Sequence, residues 1–171
     1  MRFSVCALII LFKLYKEKSM KRILTLILVV TLMFSLTSCM DSTKKETEFY
    51  ELVYQSQQLL DDVADDIYSY WYDCIYDDAY LGNINYAIAA ALSDNEDNID
   101  LIESNNALIK DLYSQVKDGK LKSEIKAVMQ AYNDYYAFVI EVSGSFKSYS
   151  ENKESYKKEL SSTLKDLEFE L

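Results

Sequence analysis

The chain has 171 residues, with 18 Lys and Arg against 28 Asp and Glu, and a formal net charge of −10. An acidic surface of this kind is repelled by nucleic acid and by anionic lipid headgroups, so no nucleic-acid partner is expected. The chain contains no proline, no histidine and only three glycines. That composition favours long helices and lacks the usual general base for a Ser or Cys nucleophile, so we expect no enzyme activity.

Residues 20–39 have the order of a secretory signal. Lys21 and Arg22 precede a twelve-residue apolar run at 23–34, and the tetrapeptide Leu-Thr-Ser-Cys closes the segment at Cys39. A basic start, a short apolar stretch and small residues before a cleavage point are typical of a signal peptide. The apolar run is too short to span a bilayer, which takes about 20 residues. The composition turns polar directly after this segment.

The tetrapeptide that ends at Cys39 resembles the lipobox of bacterial lipoproteins. The resemblance implies that the Cys39 thiol is diacylglycerated and that this cysteine becomes the mature N-terminus. The membrane is then a partner through diacylglyceryl Cys39, and the protein is held at the extracytoplasmic face of the cell membrane. Two acyl chains anchor a protein stably, whereas one chain binds only reversibly. The alternative is a signal anchor, or a cleaved signal without lipid, in which the cysteine is incidental.

A second apolar run, at residues 3–12, precedes Met20. About ten apolar residues do not span a bilayer as a helix. We therefore interpret residues 1–19 as a start-site extension, residues 20–38 as the signal peptide and residues 39–45 as a polar tether. Removal of residues 1–38 leaves 133 residues, enough for one domain. They keep twelve of the Lys and Arg and twenty-seven of the Asp and Glu, a net charge of −15.

Residues 46–171 are predicted to form an all-α domain. Apolar residues at steps of three and four predict a first long helix at 46–80, then a short alanine-rich helix at 84–92. Asn83 is predicted to cap the short helix. The segment from Leu121 to Phe146 has a heptad seam of the kind found in coiled coils. Short connections make successive helices antiparallel neighbours, so we expect an elongated up-and-down bundle of three long helices plus one short helix.

Helix ends after the alanine-rich stretch are predicted from capping residues. Ser93 and Ser148 are each followed three residues later by a glutamate, which predicts capping boxes at the starts of two helices. Gly119 is predicted to end the helix between them in a left-handed conformation.

Four aspartates lie along one face of the predicted first helix at spacings of 4, 7 and 4 residues, namely Asp62, Asp66, Asp73 and Asp77. Calcium takes six to eight converging oxygens, whereas carboxylates along one straight helix diverge. A solvated acidic face is therefore the simpler interpretation, and a cation or small-ligand site on this face is the alternative. Di-iron bundles need histidine ligands, which this chain lacks, so no cofactor and no metal centre are predicted.

Tyrosines surround the predicted first helix between Tyr68 and Tyr80, with Trp71 among them. Core and boundary packing is the simpler interpretation, because a tyrosine ring is apolar while its hydroxyl is polar. Aromatic side chains are also enriched where protein partners dock, so Trp71 and Tyr72 are the candidate partner-binding residues. Cys74 falls on the apolar stripe and is expected to be an inert buried thiol.

Two stretches, YWYDCIYD at residues 70–77 and SGSFKSYS at residues 143–150, resemble small uncharacterised lipoproteins of Gram-positive bacteria. This resemblance implies a cell-surface helical domain and carries no biochemical function. We interpret the chain as a lipid-anchored extracytoplasmic protein with a binding or envelope-interaction role, its partner being an envelope protein or a cationic molecule. An immunity or phage-exclusion lipoprotein is the other alternative, since it needs the same location and a partner-binding surface.

The Cys39→Ser variant tests the anchor. Serine has no thiol to accept the diacylglyceryl group, so we expect an unprocessed precursor or a protein lost from the membrane fraction. Immunoblots of fractionated cells measure both. A variant that is processed and extracted by detergent like the wild type would contradict the lipoprotein interpretation.

Overall fold

The computed structural model describes residues 42–171, and every regular element in that range is helical. This confirms the predicted all-α class. Residues 1–19, the signal peptide at 20–38 and Cys39 lie outside the described residues. The five α-helices and one 3-10 turn are, in chain order, α1 at Ser42–Tyr76, the turn at Ala79–Gly82, α2 at Ile84–Asp94, α3 at Glu96–Val116, α4 at Lys122–Ile140 and α5 at Phe146–Glu170.

The number of helices differs from the expected three long helices plus one short helix. The described residues contain four helices of 35, 21, 19 and 25 residues and one helix of 11 residues. The difference arises because the segment at 148–171, which carries its own apolar stripe, forms a full-length helix. Helix α1 also begins at Ser42, inside the segment expected to be a polar tether.

Helix α1 is the element on which the other helices pack, since α2, α3, α4 and α5 all contact it. At one end of α1, Lys45 donates a hydrogen bond to Gln115 near the end of α3 (2.8 Å). At the other end, Asp66 accepts a hydrogen bond from Asn95, just before α3 begins (2.9 Å). Helices α1 and α3 are therefore antiparallel.

Helix α5 also runs antiparallel to α1. Gln57 in the first half of α1 donates to Ser161 in the second half of α5 (2.6 Å). Farther along α1, the ring of Tyr68 stacks on that of Phe146, the first residue of α5, with centroids 5.1 Å apart. The core lies between these helices, and its largest fully buried side chains include Tyr132, Tyr135 and Tyr149.

Two helix starts differ from the predicted capping boxes. Helix α2 continues through Ser93, and Asn95 is the residue that precedes α3. Before α5, Ser145 accepts a hydrogen bond from the backbone N–H of Ser148, whose hydroxyl in turn accepts from the Ser145 N–H. The box therefore forms three residues earlier than predicted, because Gly144 with φ 93° ends the preceding loop there.

Two predictions about turns have opposite outcomes. The Asn83 side chain accepts a hydrogen bond from the backbone N–H of Tyr86 (3.2 Å), which confirms it as the cap of α2. The predicted left-handed cap at Gly119 is wrong, because Gly82 and Gly144 are the glycines with positive φ in the described range. Helix α3 instead ends at Val116, and the Gly119 N–H bonds the Val116 carbonyl (2.9 Å).

Between residues 42 and 171, no helix combines enough length with enough apolar character to cross a bilayer.

Truncation of a core leucine of α1 tests the packing. Leu60 is fully buried, so Leu60→Ala should lower the free energy of unfolding by about 2–5 kcal/mol through lost burial and the cavity left behind. Leu81 is 98% exposed, so Leu81→Ala is the matched control and should change stability by less than about 0.5 kcal/mol. Urea unfolding followed by circular dichroism measures both variants. Equal effects of the two would contradict the described core.

Candidate interaction surface

The aspartates at the centre of α1 have partners inside the domain. The hydroxyl of Tyr135 on α4 donates to Asp61 Oδ1 (2.7 Å), and Lys157 Nζ on α5 lies 3.1 Å from Asp61 Oδ2. One turn later, the half-exposed Asp65 pairs with Lys153, whose side chain is only 10% exposed. The Lys153 ammonium also lies 4.7 Å from the ring centroid of Tyr68, a cation–π distance.

This arrangement, which we call the α1–α5 polar seam, consists of Asp61, Asp65, Lys153, Lys157 and Tyr135. A buried ammonium needs a compensating carboxylate, because an unpaired buried charge costs several kcal/mol. Its charges neutralise one another between helices, so it has the character of a structural contact. Asp61 and Asp65 are therefore occupied by contacts within the domain, which leaves fewer α1 oxygens for a cation.

The predicted carboxylate row does not converge. Asp66 accepts a hydrogen bond from Asn95, Asp73 is half-buried, and Asp62 and Asp77 are exposed. Asp77 lies just past the end of α1, and within residues 42–171 no group of three or more Cys, Asp or Glu side chains is arranged to hold a metal ion. The geometry therefore gives no support to a specific cation site on this face.

Three buried tyrosines have hydroxyls that resist ionisation. Burial raises the pKa of Tyr132 and of Tyr149. Burial also raises the pKa of Tyr135, and the hydrogen bond to Asp61 adds to the shift because a phenolate would repel that carboxylate. At ordinary pH these side chains therefore act as neutral packing groups with a polar end.

The two predicted partner-binding residues have different environments. Trp71 is 4% exposed and packs in the core, where its ring lies 5.6 Å from Tyr149 and 5.9 Å from Phe146 between centroids. It is therefore not a free surface side chain. Tyr72 is 41% exposed and contacts Tyr76, with ring centroids 4.5 Å apart. Cys74 is buried and free of a disulfide, as expected.

Exposed large apolar side chains gather where α1 ends and α2 begins. Six of them fall within fifteen residues and define what we call the tip surface: Tyr72, Ile75, Tyr76, Leu81, Ile84 and Tyr86. Tyr76 and Tyr86 are each 60% exposed and Leu81 is 98% exposed. Apolar side chains concentrated in this way are typical of an interaction site, whereas single exposed ones are ordinary.

The backbone at the tip is strained. Asp78, Tyr80 and Leu81 have φ of 52°, 54° and 58°, the left-handed region that non-glycine residues rarely adopt. Each such residue costs on the order of 1–3 kcal/mol and persists only where its surroundings enforce it. Ring stacking of Tyr80 on Tyr70, with centroids 5.3 Å apart, is one such restraint. The result is a turn that projects Leu81 into solvent.

A second restraint near the tip joins α1 to the end of α2. The Tyr70 hydroxyl donates a short hydrogen bond to the Asp94 carboxylate, and that bond raises the pKa of Tyr70 to about 12. Asn95 lies beside it and is 4% exposed, and its side chain bonds both Asp66 and the Ala91 carbonyl (3.0 Å). These polar contacts hold the bend between α2 and α3 against the last turns of α1.

An open groove of about 680 Å³ lies beside the tip surface. Its lining includes buried Trp71, Ile84 and Ile88 of α2, and residues 142–144 between α4 and α5. Asn83 contributes polar atoms to its edge. We call this feature the tip groove. Its size suits one or two side chains of a partner.

Most of this surface is not evident from the sequence. Tyr72 was a predicted site residue, whereas Leu81, Ile84 and the groove were not, because each of these depends on the turn at Ala79–Gly82 folding back beside the α4–α5 connection. One local signal was available. Leu81 directly precedes Gly82 in a stretch expected to end a helix, and a large apolar residue at a helix end is a candidate for exposure or for a docking contact.

Comparison with protein-family models, with curated proteins and with solved structures gives no match to this chain.

The hydroxyl of Tyr135 supplies a test by alkaline unfolding. An unfolded tyrosine ionises near pH 10, whereas folded Tyr135 stays protonated, so its contribution to stability is complete below pH 10 and declines as the pH rises further. Tyr135→Phe should therefore make the fall in unfolding free energy above pH 10 shallower by about 1.4 kcal/mol per pH unit. Urea titrations from pH 8 to about 11 measure this slope. Identical slopes for the variant and the wild type would contradict the buried neutral hydroxyl.

Proposed function

We propose that this chain is a lipid-anchored, extracytoplasmic helical protein that acts by binding a partner in the cell envelope. The exposed tip surface is the observation that carries the binding role. It concentrates exposed aromatic and aliphatic side chains on both sides of a strained turn, and strain of this kind is common at functional sites. The proposal includes no catalytic step, since the chain has no histidine and no motif for nucleophilic chemistry.

The lipid anchor rests on the lipobox-like segment that ends at Cys39. Helix α1 begins three residues later, at Ser42, and its 35 residues extend about 50 Å at 1.5 Å per residue. The tip surface lies at the C-terminal end of α1, and the lipobox-like segment precedes the N-terminal end of this helix in the sequence. That separation suits a protein whose lipid end stays in the membrane while its other end meets a partner.

The scaffold in this proposal is an up-and-down helical bundle of elongated form. The antiparallel pairs α1 with α3 and α1 with α5 support it. A bundle with short connections is rigid, and a rigid scaffold presents a surface at its end with little loss of entropy on binding.

A double substitution at the tip tests the binding role. Tyr76→Ser with Leu81→Ser removes two strongly exposed side chains, so it should abolish an envelope complex while leaving membrane attachment and helicity unchanged. Native electrophoresis of detergent-solubilised envelopes measures the complex. Tyr54→Ser with Phe169→Ser is the matched control, since these side chains are 47% and 88% exposed away from the tip. Loss of the complex in the control as well, or its retention in the tip variant, would contradict the proposed function.

A further inference from the structure

The charge around the tip is of one sign over a long stretch of chain. Between Glu46 and Ile109 the sequence has fifteen carboxylates and no Lys, Arg or His. Asp61 and Asp65 within this stretch are neutralised by lysines of α5. The carboxylates nearer the tip in the sequence, among them the exposed Asp77 and Asp78, have no basic residue within the same stretch to pair with.

One basic residue begins α5 near the tip. Lys147 follows Phe146, and its ammonium lies 3.8 Å from the carboxylate of Glu151 one turn later. Its side chain is 85% exposed, so this ion pair is a weak surface contact. The local charge at the tip therefore remains negative.

Apolar and acidic features occur together at this end of the domain. The tip groove has a mixed lining. Apolar side chains come from Trp71, Ile84 and Ile88, and polar ones come from Asn83, Asn85 and Ser143. Asp77 and Asp78 directly precede the turn at Ala79–Gly82, which contributes Gly82 to the lining. A complementary ligand has an apolar group that enters the groove and positive charges that pair with the carboxylates around it. Tyrosine faces add a further attraction for ammonium and guanidinium groups.

We propose that the tip groove binds a basic peptide segment of an envelope protein, with an apolar side chain seated over Trp71 and Lys or Arg side chains facing Asp77 and Asp78. This inference rests on the proposed function and adds the chemistry of the partner. A second copy of the chain does not fit, because two acidic tips repel each other. An anionic lipid surface is disfavoured for the same reason.

Trp71 is the only tryptophan of the chain, so its fluorescence reports directly on the groove. The full-length protein in neutral detergent is titrated with a synthetic peptide that combines lysines with leucines. We expect a saturable change in Trp71 emission that weakens as salt is raised. A peptide with glutamate in place of lysine, and one with serine in place of leucine, should bind at least about tenfold more weakly, a difference of about 1.4 kcal/mol.

Variants of the protein locate the site. Asp77→Asn with Asp78→Asn should weaken the lysine–leucine peptide about three- to tenfold, as expected for two exposed charge pairs. The matched control is Asp111→Asn with Asp118→Asn, two exposed carboxylates at the other end of α3, and it should bind like the wild type. Ile84→Ser should weaken binding without changing the helical content, because that side chain is already 38% exposed.

Three results would overturn the inference. They are equal binding of the glutamate and lysine peptides, binding to phosphatidylglycerol vesicles or neutral glycans in preference to the peptide, and equal loss of affinity in the Asp111 and Asp118 control. If no basic peptide binds while the Tyr76 and Leu81 variant still loses its envelope complex, the partner chemistry is wrong and the binding function stands. If both experiments fail, the proposed function itself is wrong.

Discussion

The ion pairs between α1 and α5 are the constraint on which the rest of the domain depends. Lys153 is nearly buried, and its ammonium charge is compensated there by Asp65, by Glu154 and by the Tyr68 ring. Asp61 binds Lys157 and Tyr135 together, so one carboxylate joins α1 to both α4 and α5. Apolar burial alone permits a helix to slide or rotate on its neighbour. Charge pairs at fixed positions along the two helices favour one register.

That register divides α1 into two parts with different roles. From Phe49 to Trp71 the helix provides the core, and all other helices pack against it. Beyond Trp71, Tyr72 and Tyr76 contact Phe146, the first residue of α5, and they remain 41% and 60% exposed. The partial exposure of these two rings therefore coincides with the start of α5.

Local patterning made the helical class predictable from sequence. Apolar residues at helical spacing, the absence of proline and the Asn83 cap all correspond to observed features. The capping boxes predicted at Ser93 and Ser148 did not form, because α2 continues through Ser93 and because Ser145 caps α5 together with Ser148. A capping motif is a local signal, whereas the position of Asn95 also depends on its hydrogen bond to Asp66 on another helix.

The contacts of the site residues could not be predicted from the sequence, for a physical reason. Helical periodicity identifies the face of Asp62, Asp66, Asp73 and Asp77, but it does not say which neighbouring helix supplies a lysine, a tyrosine or an asparagine to each flanking position. Exposure of Tyr72 beside burial of Trp71 likewise depends on long-range packing against Phe146 and Tyr149. Adjacent residues on a helix point in directions about 100° apart, so two neighbouring aromatics easily divide between core and surface.

Hydrogen exchange of the full-length protein, with and without a basic apolar peptide, tests most directly the claim that α1 has an internal part and a binding end. We expect slow exchange from Phe49 to Trp71 in both conditions, and slower exchange at residues 77–86 and 142–144 only when the peptide is present. Slower exchange around Asp61 to Asp66 on addition of the peptide, with no change at the tip, would contradict a binding end at the tip.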